Sequence, residues 1–410
     1  MKILVYPHAM EVGGSQLNAV ELAGAVRDLG HRVTVVSEDG PLVERVRVMD
    51  LPHVQIPRDR RRPSASVARM LRRLVRSEGF DVVHGHEWPP GLEAAAAVAG
   101  TPAVAVCTVM SMAVAPFIPR SMSLVVGTAA LHEHSAAGRR GPVHLIEPPV
   151  DVEANAPGHP TGEFRIRFDL DDRFLTLATV CRLVPELKLE GVLTAIDVVG
   201  ALAADLPLQL LVVGDGSARA TVEERAAKAN AQAGRRVVVL TGELFDPRPA
   251  YAAADVMLGM GGSALRALAF GRPLVVQGEK GYWELLTPDS VDVFLRRGWY
   301  GVGDGTGGFE RLTAILRGLA ADASERDRLG AYGRELAVER FSLQRAATVQ
   351  EAIYREALDR PVSTVRATAD GVRSALGLGA YKVRRKVQQF RGTRARDDFN
   401  AVRLAQPPRG

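Results

Sequence analysis

The residues best suited to chemistry in this chain are cations and glycines that follow short apolar runs. In "TVCRLVPELKLEG" Arg182 closes such a run and Lys188 comes six residues later in a loop. Two cations at the carboxyl edge of a sheet can neutralise the charge building on a departing diphosphate, although the same pair could equally serve as surface partners for Glu186 or Glu190. In "PHAMEVGGSQLNAVELAG" Gly13 and Gly14 precede a helical pattern, where backbone without side chains lets an anion, usually a phosphate, approach closely. The stretch "GMGGSALRALAFGRP" places Gly261 and Gly262 before Ser263, the expected N-cap, so that the backbone from Gly261 to Ala264 would face a diphosphate. Arg266 then falls at the third helical position, where a Glu would close a capping box. A cation there is unfavourable by about 0.3 to 1 kcal/mol when the site is empty, and the sign reverses when an anion occupies it.

Two further patterns carry weaker signals. "LLVVGDGSARATVEERA" runs a strand into Gly214-Asp215-Gly216 but fails the dinucleotide fingerprint. Arg219 occupies the third glycine position and no acid ends the next strand, which argues against an NAD enzyme and leaves Gly214 as a candidate neighbour of another nucleotide. His84-x-His86 and His132-x-His134, each beside a Glu, have the residue types of a zinc site but no supporting Cys or HExxH motif. The preferred reading has no metal: residues i and i+2 of a strand share a face, and His8, His86 and Glu87 line a cleft that takes an acceptor.

Short Val/Ile/Leu runs alternating with helical patterns are what must position these residues, the signature of parallel sheets covered by helices. A Pro- and Gly-rich stretch without periodicity, residues 147–164, marks a linker. The expected organisation is therefore two doubly wound α/β domains, 1–155 and 165–358, with ligands beyond the carboxyl ends of their strands. At 410 residues, 47% hydrophobic and 24% charged, the composition is globular. Only Cys107 and Cys181 are present, which argues against a disulfide framework and for a reducing cytoplasm. The opening "MKILVYPH" reads as a strand and not as a signal peptide. Residues 94–118 carry no charge, yet Gly100, Pro102 and Pro116 break them into helix end, strand and loop instead of a membrane span.

The net charge of +5 is uneven: residues 361–410 hold eleven Lys or Arg against three Asp or Glu, so the rest of the chain carries −3. The body gives no reason to expect nucleic acid. The tail 361–410 reads either as disordered or as a basic amphipathic helix with Leu376, Ala380, Val383, Val387 and Phe390 on one face, able to touch an anionic membrane.

Taken in order, "GGSQLNAVELA", "DVVHGHEW", "PPVDVEANAP", "CRLVPELKLEG", "LLVVGDGSAR", "VVVLTGELFDPRPAYAAADV" and "ALAFGRPLVV" resemble the family 4 glycosyltransferases of the GT-B fold over about residues 1–358. The resemblance implies two Rossmann-like domains facing a cleft. It implies transfer of a sugar, with retention, from a nucleoside-diphosphate donor to a glycan, lipid-linked or small-molecule acceptor, with no metal and no cofactor. By match, Arg182 and Lys188 are the diphosphate-binding catalytic cations, Gly13 and Gly14 the glycine loop near the donor, and Gly242, Glu243 and Leu244 the segment beside the base. The chain departs from the E-x7-E motif, having no first Glu and Arg266 in place of the second, and Met110 stands where relatives often carry His. The altered motif leaves open a non-catalytic nucleotide-sugar or glycan-binding scaffold of the same fold.

Overall fold

The computed structural model describes residues 1–391. The chain forms two compact units: Met1–Pro149 joined by the chain from Leu343 onward, and Val150–Ser342.

In the first unit β1 (Lys2–Tyr6), β2 (Arg32–Ser37), β3 (His53–Gln55), β4 (Val82–His86), β5 (Val104–Val109), β6 (Ser123–Val126) and β7 (Val143–Leu145) make one sheet in the order β3-β2-β1-β4-β5-β6-β7. Every pairing is parallel. Burial on both faces explains why these strands read as unbroken apolar runs. The helices are α1 (Gly14–Asp28), α2 (Leu42–Val48), α3 (Ala65–Glu78), α4 (Trp88–Val98) and α5 (Ala129–Ala136). Local chemistry sets their ends: the Ser64 side chain accepts from the Val67 amide to start α3, and Gly79 stops it in the left-handed region. Residues 94–118 form the end of α4, β5 and a loop. No helix among the described residues is long and apolar enough to cross a membrane.

The second unit holds α6 (Gly162–Phe168), β8 (Leu175–Val180), α7 (Leu189–Leu202), β9 (Leu208–Val213), α8 (Arg219–Ala233), β10 (Val238–Gly242), α9 (Arg248–Ala253), β11 (Val256–Gly259), α10 (Gly262–Ala269), β12 (Leu274–Gln277), β13 (Trp283–Leu285), α11 (Val291–Arg297), α12 (Gly308–Ala321) and α13 (Ala323–Phe341). Its sheet runs β10-β9-β8-β11-β12-β13, parallel except for the last pair. β13 is three residues long, too short to carry a periodic signal in the sequence.

After Ser342 come α14 (Leu343–Asp359) and α15 (Thr364–Phe390). The stretch up to residue 358, expected with the second domain, divides at Ser342 instead. Leu343, Ala346, Ala347, Ile353 and Tyr354 of α14 join the core beneath α1, because that is where the first unit has apolar surface to cover. Likewise 150–155, expected with the first domain, belongs to the second unit, where the Val150 amide bonds the Phe341 carbonyl. Over 364–390 the tail is helical and not disordered; 392–410 lie outside the described residues.

Candidate active site

In both sheets the strand order reverses next to the first strand, between β1 and β4 in one unit and between β8 and β11 in the other. Doubly wound sheets bind ligands at such a point, because the connections on either side lie on opposite faces and leave a crevice.

In the second unit Arg182 and Lys188 follow β8, and the glycine turn of residues 259–262 follows β11. Arg182 is exposed, whereas Lys188 sits half-buried in the turn before α7. Burial, together with the nearby Arg182 guanidinium, lowers the Lys188 pKa, opposed by the neighbouring Cys181 thiol. No carboxylate forms a salt bridge with Lys188 among the described residues. A cation held in this way is short of an anion. The electrostatic influences run on from Cys181 to Tyr251, whose phenol also feels Arg266, so the cations from the β8 and β11 connections share one neighbourhood.

The helix start differs from the sequence expectation. Gly261, at φ 55° and ψ −131°, is the N-cap of α10, and Ser263 is the second helical residue. The Ser263 hydroxyl bonds the Met260 carbonyl at 3.0 Å. Arg266 is thus the fifth helical residue, beyond the first turn, and the capping conflict inferred at the third position disappears. Its Nη1 nevertheless lies 3.6 Å from where a Cβ on Gly262 would be, so the guanidinium folds back over the helix start. The Gly261 amide is unavailable to a phosphate because it donates to the Trp299 carbonyl at 2.7 Å. The amides of Gly262, Ser263 and Ala264 remain as donors that no helical carbonyl can satisfy.

Gly214 and Gly242 line one recess with Leu183, Val212, Arg219 and Leu240. A Cβ on Gly214 would lie 1.9 Å from the Cys181 carbonyl oxygen, and Gly214 has φ 138°. The glycine is required to seat the β9 turn against the β8 loop. Glu243 is exposed on the following loop, and Leu244 packs against the core of the unit.

In the first unit the residues after β1 and β4 come together. The His8 and Gln16 side chains are 3.2 Å apart, and His8 lies close enough to His86 to depress its pKa. Gly13 caps α1 with extended backbone, and neither it nor Gly14 is held in a left-handed conformation. His84 and His86 stack with ring centroids 4.3 Å apart, and burial keeps both neutral, His84 down to about 3. The His84 nitrogens lie 2.7 Å from the Tyr354 hydroxyl and from Thr108 Oγ1, so the zinc alternative loses one of its ligands to ordinary hydrogen bonds. Among the described residues no three His, Cys, Asp or Glu form a metal-holding group. Glu87, at φ 69°, accepts from the Met110 and Ser111 amides and the Ser111 hydroxyl, and so fixes the loop after β5. One residue had no signal in the sequence: Gln350 of α14, fully buried, lines a recess with His86, Ser15 and Asn18 and leaves both amide atoms without a partner.

Residues 12–154 match the family model described as Glycosyltransferase Family 4, and residues 175–296 match the one described as Glycosyl transferases group 1. The chain is a family 4 type glycosyltransferase of the GT-B fold. The glycosyltransferase resembles a Rickettsia africae glycosyltransferase at 16% identity and a TM-score of 0.70, covering 88% of this chain and 99% of that one. It resembles HepE of Anabaena, solved in complex with UDP, at 15% identity and a TM-score of 0.68, covering 87% and 100%. It also resembles the sucrose-phosphate synthase of Thermosynechococcus elongatus, at 15% identity and a TM-score of 0.64, covering 88% and 100%. The glycosyltransferase matches none of the curated protein sequences.

Proposed function

We propose that the enzyme moves a sugar from a nucleoside diphosphate to a hydroxyl of a glycan, lipid-linked or small-molecule acceptor, with retention and without a metal. The observation that carries this reading is the half-buried Lys188, forming no salt bridge with a carboxylate among the described residues and set beside Arg182 where the sheet order of the second unit reverses. Arg182, Lys188 and the Gly262–Ala264 amides hold the donor diphosphate, and Arg266 adds a cation over the same helix start. Gly214, Gly242, Glu243 and Leu244 border the nucleoside. The acceptor is taken by the first unit around His8 and His86, with Glu87 as a positioning residue, while Gly13 and Gly14 keep the donor-phosphate role expected of their loop.

As the bond from the anomeric carbon to phosphate breaks, the acceptor oxygen attacks from the same face and its proton passes to the departing phosphate oxygen. The cations carry the charge that a divalent metal would otherwise neutralise. Free thiols at Cys107 and Cys181 support a cytoplasmic setting. UDP is the first donor base to test, since the Anabaena relative was solved with it. A thermal-shift screen of UDP-, GDP- and dTDP-sugars selects the donor, because a ligand at a hundred times its Kd adds about 2.7 kcal/mol of stability. Release of free nucleoside diphosphate on adding acceptor extract, and the anomeric configuration of the product by NMR, then test transfer and retention. Donor binding without any release would refute the proposal.

A further inference from the structure

Helix α15 holds onto the first unit by one face only. The Asp370 carboxylate, buried, accepts from the Ser121 amide at 2.7 Å and from the Ser121 hydroxyl. One helical stretch further on, the Tyr381 ring packs 5.2 Å from Phe117 and 5.9 Å from Trp88, and Gly377 gives Phe117 room to approach. These docking residues recur at helical spacing, so the opposite side of a 27-residue helix, about 40 Å long, faces outward.

That outward side is apolar. Val365, Val372, Leu376, Val383, Val387 and Phe390 follow one another at steps of 7, 4, 7, 4 and 3, which keeps them in a single stripe. Leu376 is 71% exposed, Val365 81% and Phe390 82%. A soluble helix buries such a stripe, but here the buried side is the one carrying Asp370, Ser374 and Tyr381.

Charge says what covers the stripe. Arg366, Arg373, Arg384 and Arg391 recur at steps of 7, 11 and 7 along one shoulder, while Lys382 and Lys386 line the other. None of the six forms a salt bridge among the described residues. The helix has a single acid, Asp370, and it is spent on Ser121. Arg120 and Arg373 both bear on the buried Arg139 guanidinium, so the positive field extends onto the neighbouring loop.

We propose that α15 is a membrane-docking helix that lays its apolar stripe into the interfacial region of an anionic lipid bilayer, with both cationic shoulders at the level of the headgroups. An apolar stripe flanked by cations complements that environment on both counts, whereas a second protein would need acids placed opposite both shoulders. Binding does not require the transfer reaction, so failure here leaves the proposed catalysis intact, and the reverse holds too.

The test is flotation of the full chain with phosphatidylcholine vesicles, with and without phosphatidylglycerol, at low and high salt. The protein should float with the anionic vesicles at low salt and stay behind with neutral ones. Lys382→Gln with Lys386→Gln should weaken partitioning about 25-fold, at about fivefold per cation. Leu376→Glu with Val383→Glu should abolish it. Both pairs leave the Ser121 and Phe117 contacts in place, so thermal midpoints should not move. Absence of binding to anionic vesicles overturns the proposal, and so does binding that ignores both salt and the lysine pair. A concentration-dependent dimer that the Leu376 and Val383 variant dissolves, with no vesicle binding, would assign the stripe to a second copy of the chain and also overturn it.

Discussion

Replacing Lys188 by Met separates a residue kept for charge from one kept for packing. It is half-buried, no carboxylate forms a salt bridge with it among the described residues, and desolvation lowers its pKa. Its charged form is therefore costly to fold, and an apolar chain of similar length should stabilise the empty enzyme by about 1 kcal/mol or more. Catalysis should move the other way. Loss of one preorganised contact to the developing charge typically costs about 3 to 4 kcal/mol of barrier, a hundred- to thousandfold in turnover. Nucleoside diphosphate should also raise the melting temperature less than in the parent, because in the proposed site Lys188 holds the phosphate in the ground state too. The assay pairs thermal melts, with and without UDP, with measured release of nucleoside diphosphate. The sign of the pH dependence gives a second check: the folded pKa lies below that of the unfolded chain, so parent stability should rise with pH between the two values, and the variant should lose that rise. A variant that is less stable when empty yet turns over at the parental rate would refute the reasoning.

Other substitutions probe the remaining pieces. Arg266→Glu should weaken binding of nucleoside diphosphate in calorimetry by tenfold or more, since the guanidinium lies over Gly262; tighter binding would show that Arg266 does not serve the phosphate. Gly261→Ala should cost about 1 to 3 kcal/mol in denaturant unfolding and disturb the amides that follow, because φ 55° with ψ −131° strains any side chain. His84 and His86 are neutral when folded, with pKa values below 6.5, so full stability holds above that pH. Stability should then fall by about 1.4 kcal/mol per pH unit for each histidine that stays neutral in the folded chain as pH drops below 6.5, and His86→Asn should lower the slope of the melting curves. Turnover should survive a metal chelator, and abolition reversed by added divalent ion would show that the cations do not replace a metal.

The sequence by itself determined the two sheets and which segments could be proposed to face a phosphate. Runs such as Leu208–Val213 are apolar throughout because parallel strands are covered on both faces, and that pattern survives in one dimension. Arg182, Lys188 and the glycines at 13, 14, 261 and 262 were legible because they lie in the connections that follow strands, so chain order alone puts them beyond a sheet edge.

What chain order cannot express was decided only in three dimensions. Residues far apart in sequence meet through packing, as when Tyr354 of α14 reaches His84 and Gln350 enters the recess beside His86. The start of α10 moved from Ser263 to Gly261 because the Trp299 carbonyl, 38 residues downstream, takes the Gly261 amide, and no local capping rule contains that partner. The apolar pattern at Leu376, Val383 and Phe390 announced an amphipathic helix but not which side the protein would bury. Ser121, Trp88 and Phe117 settled that by holding Asp370 and Tyr381, and left the apolar stripe facing out. Periodicity fixes which residues share a face; only the surface they meet decides which face is inside.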